Sequence, residues 1–176
     1  MSAVWLVRHG RSAVDPTTPP ETWDLDPAGL ADVDALRPRL PDTDAWYASS
    51  EPKAVATARR IRGADVPVVD ALAEHRRGPH WFDDPADFRA AVRRVFARPA
   101  ERAVPEWEPL ADLEARLVPA VREILVRHPD EDVVLVGHGT AWTLLRAVLT
   151  GEEPDLEAWA ALRMPDVWKV FPGNPL

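Results

Sequence analysis

The stretch VWLVRHGRS, Val4 to Ser12, runs four apolar residues straight into a cation, a titratable ring and a glycine. A continuous apolar run suits a strand covered on both faces, as in a parallel sheet, better than one with a solvated side. The pattern returns late in the chain in VVLVGHGT, Val133 to Thr140, where four apolar residues meet His138 between Gly137 and Gly139. Two strands each deliver a histidine at the carboxyl end. In open α/β sheets ligands bind at that edge, and a helix opening beyond it offers backbone N–H groups and the positive end of its dipole. Such an edge favours an anion. One histidine beside glycine can merely fill a turn; two in matching settings point to a shared site.

Working outward, short apolar or β-branched runs recur at 4–7, 45–48, 66–69 and 133–136, with helix-like stretches at 28–37, 52–61, 85–97, 110–127 and 140–149. This alternation predicts a three-layer α/β/α fold with a mostly parallel central sheet. In the longest helix the spacing of Leu110, Leu113, Leu117, Val121 and Ile124 continues through Pro119, which predicts one kinked helix. Val14 to Pro27 holds too many prolines for a regular element and follows the opening motif, so it belongs near the site.

The chain has 176 residues, 46% of them hydrophobic, within the size of one domain spanning 1–176. It has no cysteine, which excludes disulfides, thiolate metal sites and cysteine nucleophiles. A net charge of -8 argues against a nucleic-acid partner, which usually needs a basic face. No apolar window approaches the ~20 residues a membrane span needs, so the expectation is a cytoplasmic chain with no membrane partner. An anionic ligand must then find a local basic pocket.

Arg8 offers a planar fork of donors matching phosphate oxygens, and a cation at a strand terminus is costly unless an anion pairs with it. Lys53, in SSEPKAVATA (Ser49 to Ala58), falls in the first turn of a helix, where the dipole favours negative charge. A bound anion would resolve that conflict. Glu74, in LAEHRRG (Leu72 to Gly78), stands among His75, Arg76 and Arg77, as a surface ion pair or as part of the site. His128, before Pro129 at a helix end, reads as structural.

With these segments in order, the sequence resembles the histidine phosphatase superfamily, also called the phosphoglycerate-mutase-like family. Arg8, His9 and Gly10 match its Arg-His-Gly motif, and LDPAGLADV around Gly29 is similar to its helix-opening segment. SSEPKAVATA, LAEHRRG, EPLADLEARL leading to Arg116, and VVLVGHGT match its later segments. The resemblance implies a phosphoglycerate-mutase-like fold with His9 as the nucleophile that becomes phosphorylated and Glu74 as proton donor. It places Arg8, Lys53 and His138 where the family holds phosphate, with Gly139 and Arg11 as further candidates for phosphate contact. No metal or other cofactor is implied. A proton donor needs a raised pKa, so Arg76 and Arg77 are expected to point away from Glu74 or toward substrate.

Three positions depart from the pattern. Arg11 stands where many members carry an acidic or amide residue, as a cation at the phosphate mouth or a surface group. Lys53 stands where many carry Arg, keeping charge but losing bidentate contact. Trp107, Glu108 and Pro109 replace the usual Gly-Glu-Ser. Mutases of the family carry an inserted lid and a C-terminal tail that exclude water; here only 76–109 is available, and the chain ends at WKVFPGNPL. Water reaching the intermediate favours a phosphomonoesterase over a mutase. The substrate is then a phosphorylated small molecule or a phosphoprotein, the latter as in the compact phosphohistidine phosphatases. Trp23, Trp81, Phe82 and Trp107 rim the site or fill the core. A silent phosphate-binding scaffold would need neither His9 nor Glu74, and a zinc site on His9 and His138 lacks further ligands at familiar spacing. Oligomeric state and natural substrate are not encoded in these motifs.

Overall fold

The structure, a computed structural model, describes residues 2–173. Strands β1 (Val4–Arg8), β2 (Trp46–Ala48), β3 (Val133–Gly137) and β4 (Asp166–Val170) form one sheet in the order β2-β3-β1-β4. β1–β3 and β2–β3 pair in parallel and β1–β4 antiparallel, so the sheet is mostly parallel. Six α-helices accompany it: α1 (Leu30–Leu36), α2 (Pro52–Arg62), α3 (Pro85–Ala97), α4 (Leu110–Arg127), α5 (Gly139–Thr150) and α6 (Leu156–Ala161).

The continuous apolar runs have the predicted cause. Val4, Leu6, Val133 and Leu135 enter one buried cluster with α3, α4 and α5, while Val7, Val134 and Val136 enter another with α1 and α2. Successive side chains of a strand point to opposite faces, so burial on both sides demands apolar residues throughout. The result is the three-layer α/β/α arrangement.

The run 66–69 does not form a full strand. Only Val68 bridges Ala48, with the Ala48 N–H donating to Pro67 O at 3.0 Å and the Val69 N–H to Ala48 O at 2.9 Å. Pro67 has no N–H with which to extend the ladder. The periodicity also gave no hint of α6 or of β4, an edge strand with only Val170 fully buried. Lys169, whose ammonium lies over the Trp5 and Phe171 rings, keeps that edge polar. Helix α4 runs uninterrupted through Pro119.

The sheet register positions the site. Arg8 pairs with Gly137 across the parallel β1–β3 ladder, and the His9 N–H donates to Gly137 O at 2.9 Å, so His9 and His138 leave adjacent strands side by side. From this point the chain departs to opposite faces, toward α1 after β1 and toward α5 after β3, which opens a crevice at the carboxyl edge. The backbone there is crowded: a Cβ on Gly10 would sit 2.6 Å from both Leu25 and Val33, and one on Gly137 would sit 2.5 Å from the Trp142 ring. Trp142 cannot yield readily, because its indole N–H is anchored on Val7 O at 2.8 Å.

Candidate active site

A cavity of about 690 Å³ occupies that crevice, and Arg8, His9, Lys53, Glu74, His138 and Gly139 all line it. The sequence had placed these six in four separate segments, and the fold brings all of them to one hollow. The His9 and His138 ring centroids are 5.2 Å apart, tilted by 60°.

His9 is buried, and its Nδ1 lies 2.6 Å from Gly10 O. A carbonyl only accepts, so Nδ1 carries the proton and Nε2 keeps its lone pair. Burial first, then His138 and the nearby cations, hold the His9 pKa well below its ordinary value, keeping the ring neutral. The Gly10 N–H is fixed in turn by Thr57 Oγ1 at 2.9 Å.

His138, at the N-terminal cap of α5, has Nε2 2.8 Å from Ser49 Oγ and 3.4 Å from Glu51 Oε1; its buried Nδ1 has no hydrogen-bond partner among the described residues. Burial and then Lys53 push its pKa well down too, which favours the neutral imidazole. Arg8 donates through one terminal nitrogen to Leu162 O at 2.8 Å, leaving a buried Nε beside the cavity with no hydrogen-bond partner among the described residues. The Arg8 Nε lies beside Gly139 at the start of α5, at ordinary van der Waals distance from where a Cβ would stand.

Glu74 departs from expectation. Its carboxylate accepts from the N–H groups of Thr140 at 3.1 Å and Ala141 at 2.9 Å, so it caps the α5 N-terminus that had been expected to offer free donors to an anion. It also accepts from the His75 N–H at 2.9 Å. Arg77 lines the cavity, as one arm of the expectation had it, but it does not leave Glu74: it lies 3.8 Å from Glu74 and donates to Thr140 Oγ1 at 2.6 Å, with its guanidinium over the Phe88 and Trp107 rings. Burial pushes the Glu74 carboxyl up, but Arg77 and these N–H donors together outweigh it and hold the pKa below the usual carboxylate value. Glu74 is therefore an anion here, not the neutral acid that a raised pKa would give.

Arg116 on α4 clamps the Glu74 segment, donating to the carbonyls of Ala73 at 2.9 Å and Glu74 at 2.8 Å and to Glu108 Oε1 at 2.7 Å. Glu108 also accepts from the Arg76 N–H at 2.9 Å. The carboxylate kept at this departure from the family pattern thus supports the 73–76 backbone. Trp107 is fully buried and belongs to the core, whereas Trp23 lines the cavity and meets the half-exposed Trp81 edge-on at 6.3 Å. Arg11 lines the mouth, but its half-exposed guanidinium is engaged by Asp26 at 2.8 Å.

Sequence reasoning passed over Glu51. It is buried, pairs with Lys53 Nζ at 2.5 Å, and accepts from the Glu74 N–H at 2.8 Å. The available signal was its place at the start of α2, where a carboxylate suits the helix dipole that Lys53 offends. Among the described residues, no group of three or more His, Asp or Glu is arranged to hold a metal ion, and no helix is long and apolar enough to cross a membrane.

The sequence model of the histidine phosphatase superfamily (branch 1) matches residues 4–166, and the chain belongs to that family. Family membership supports a phosphatase or phosphotransferase activity. Among solved structures, the chain is similar to a mycobacterial glucosyl-3-phosphoglycerate phosphatase in complex with inorganic phosphate, at 26% identity and TM-score 0.66 over 92% of this chain and 84% of that one. It is also similar to YhfR of Bacillus stearothermophilus, at 26% identity and TM-score 0.67 over 88% and 83% of the two chains. A Thermus thermophilus protein, TTHB049, at 22% identity, TM-score 0.64 and 86% of each chain, shares the fold. A search of the curated proteins found no match.

Proposed function

We propose that the protein is a phosphomonoesterase that hydrolyses a phosphorylated small molecule through a covalent phosphohistidine on His9. The observation that carries this reading is the 5.2 Å approach of the His9 and His138 rings in a cavity that Arg8, Lys53 and Glu74 also line. The neutral His9 Nε2 attacks phosphorus in line; the ester P–O bond breaks and the leaving oxygen takes a proton from Glu74. Water then attacks the phosphohistidine, gives its proton back to Glu74, and orthophosphate departs as the P–N bond breaks. Arg8, Lys53, His138 and the backbone at Gly139 hold the phosphoryl oxygens, each preorganised donor contributing roughly 3 kcal/mol to the transition state. Arg11 adds a cation on the approach.

Because Glu74 is ionised in the free pocket, the proton arrives with the substrate. A phosphate monoanion brings it, and the dianion left beside the carboxylate raises the affinity of Glu74 for that proton. The dianion likewise favours protonation of His138. These cations neutralise the phosphoryl charge without requiring a metal.

Hydrolysis is favoured over transfer on the reading that water reaches the intermediate; within 76–109, Ala91, Val92 and Val95 of α3 pack into the core, while Arg76, Arg77 and Phe88 line the cavity itself. The last three residues of the C-terminal stretch WKVFPGNPL, compared above with a mutase tail, lie outside the described residues. The test is incubation with an aryl phosphate over about pH 5 to 8, with and without chelator. Release of orthophosphate, unchanged by chelator, is the expected result. No turnover at any pH would overturn the enzymatic reading. Product only when phosphoglycerate and its bisphosphate are both supplied would assign a mutase instead.

A further inference from the structure

We propose that Glu51 is an internal counter-anion that competes with bound phosphate for Lys53 and so sets how tightly the site holds its product. The proposal rests on the phosphate-binding reading above. An acidic side chain lining an anion pocket is a conflict, because at short range it repels the ligand the pocket exists to hold. Here the conflict is built in. Lys53 has three ammonium donors; one goes to Pro20 O at 2.7 Å and one to Glu51 Oε2 at 2.5 Å. The other Glu51 oxygen lies 3.4 Å from His138 Nε2 and accepts the Glu74 N–H.

One buried carboxylate thus engages two groups proposed to hold phosphate and the backbone of the proposed proton donor. While the pocket is empty, Glu51 satisfies Lys53, which would otherwise be a buried, under-partnered cation at the positive end of α2. When phosphate enters, Lys53 shares its charge between two anions, and the repulsion from Glu51 hastens departure of orthophosphate. Burial pushes the Glu51 carboxyl up more strongly than Lys53 pulls it down, which fits an anion under strain from its surroundings. Glu51 is a positioning residue in this account, acting through Lys53 and His138.

The test is orthophosphate binding, followed by calorimetry, in wild type and Glu51→Gln, with thermal melts as a check on folding. The amide keeps the shape and can still accept from the Glu74 N–H, but it carries no charge. Glu51→Gln is expected to bind orthophosphate about tenfold more tightly. In steady state it should show a lower KM together with a lower kcat, as product leaves slowly; a merely structural role would not lower KM. Adding Lys53→Met should weaken phosphate binding more in the Glu51→Gln background than in wild type. A folded Glu51→Gln that binds phosphate no more tightly than wild type overturns the proposal. If Glu51→Gln fails to fold, Glu51→Asp, with the charge drawn back from Lys53, should bind more tightly than wild type, and equal or weaker binding there overturns it as well. Failure of both wild type and variants to bind orthophosphate would defeat the phosphate site itself. Aryl phosphate turnover by wild type with no gain in phosphate binding on substitution would defeat the Glu51 proposal alone.

Discussion

His9→Ala is expected to lower kcat by about four orders of magnitude or more, because removing a nucleophile that forms the covalent intermediate deletes the reaction path rather than weakening it. The structure allows no obvious substitute: His138, the neighbouring ring, holds Nε2 against Ser49 and Glu51, and its Nδ1 is buried. The substitution should leave phosphate binding largely in place, since Arg8 and Lys53 remain. Steady-state hydrolysis alongside orthophosphate calorimetry checks both halves. Retained turnover in a folded His9→Ala protein would remove His9 as nucleophile.

Glu74→Gln should be nearly as damaging, but selectively. For an alkyl phosphate, whose leaving oxygen needs a proton, the expected loss in kcat is about 10² to 10⁴-fold, the usual worth of a positioned general acid. For a nitrophenyl phosphate, whose leaving group departs as an anion, the loss in the first step should be much smaller. The pH dependence follows from the environment of Glu74. Its pKa is lowered chiefly by Arg77 and the N–H groups of His75 and Thr140 acting against burial, with Glu51 as the neighbouring carboxylate. The free enzyme at neutral pH therefore has almost none of the acid form. In wild type, kcat/KM for an alkyl phosphate should be highest at mildly acidic pH and fall as pH rises past the second ionisation of the substrate, near about 6. A profile that instead rises through neutrality would show that the proton does not arrive with the substrate.

The main frame of this fold was legible because its strands are buried on both faces. Val4 to Val7 and Val133 to Val136 have apolar residues at every position for that reason, and the repeat of strand, histidine and glycine follows from the β1–β3 register. What escaped was whatever depends on partners across the sheet edge. β4 is half-buried and mixes Asp166 and Lys169 with apolar residues, so no period marks it. The 66–69 run has strand composition, yet Pro67 limits it to a bridge.

The candidate residues that the fold gathers around the cavity, Glu51 excepted, were legible from their motifs, but their charge states were not. Whether Arg77 turns toward Glu74 depends on Thr140 and on the Phe88 and Trp107 rings beneath it, which lie in distant parts of the chain. Likewise the N-terminus of α5 looked open to an anion until the fold brought Glu74 onto it. Lys53 raised the right question, of what anion resolves a cation at a helix start. Part of the answer, Glu51, stood two residues away.

The central claim is that His9 Nε2 carries the phosphoryl group between substrate and water. The most direct measurement is rapid quenching of the turning-over enzyme into alkali, where a phosphoramidate survives, followed by mass spectrometry of its peptides. The account predicts a phosphoryl group on the peptide containing His9, absent from His9→Ala, forming and decaying as fast as turnover. An active enzyme that never carries phosphoryl on His9, or that carries it elsewhere at the rate of turnover, would contradict it.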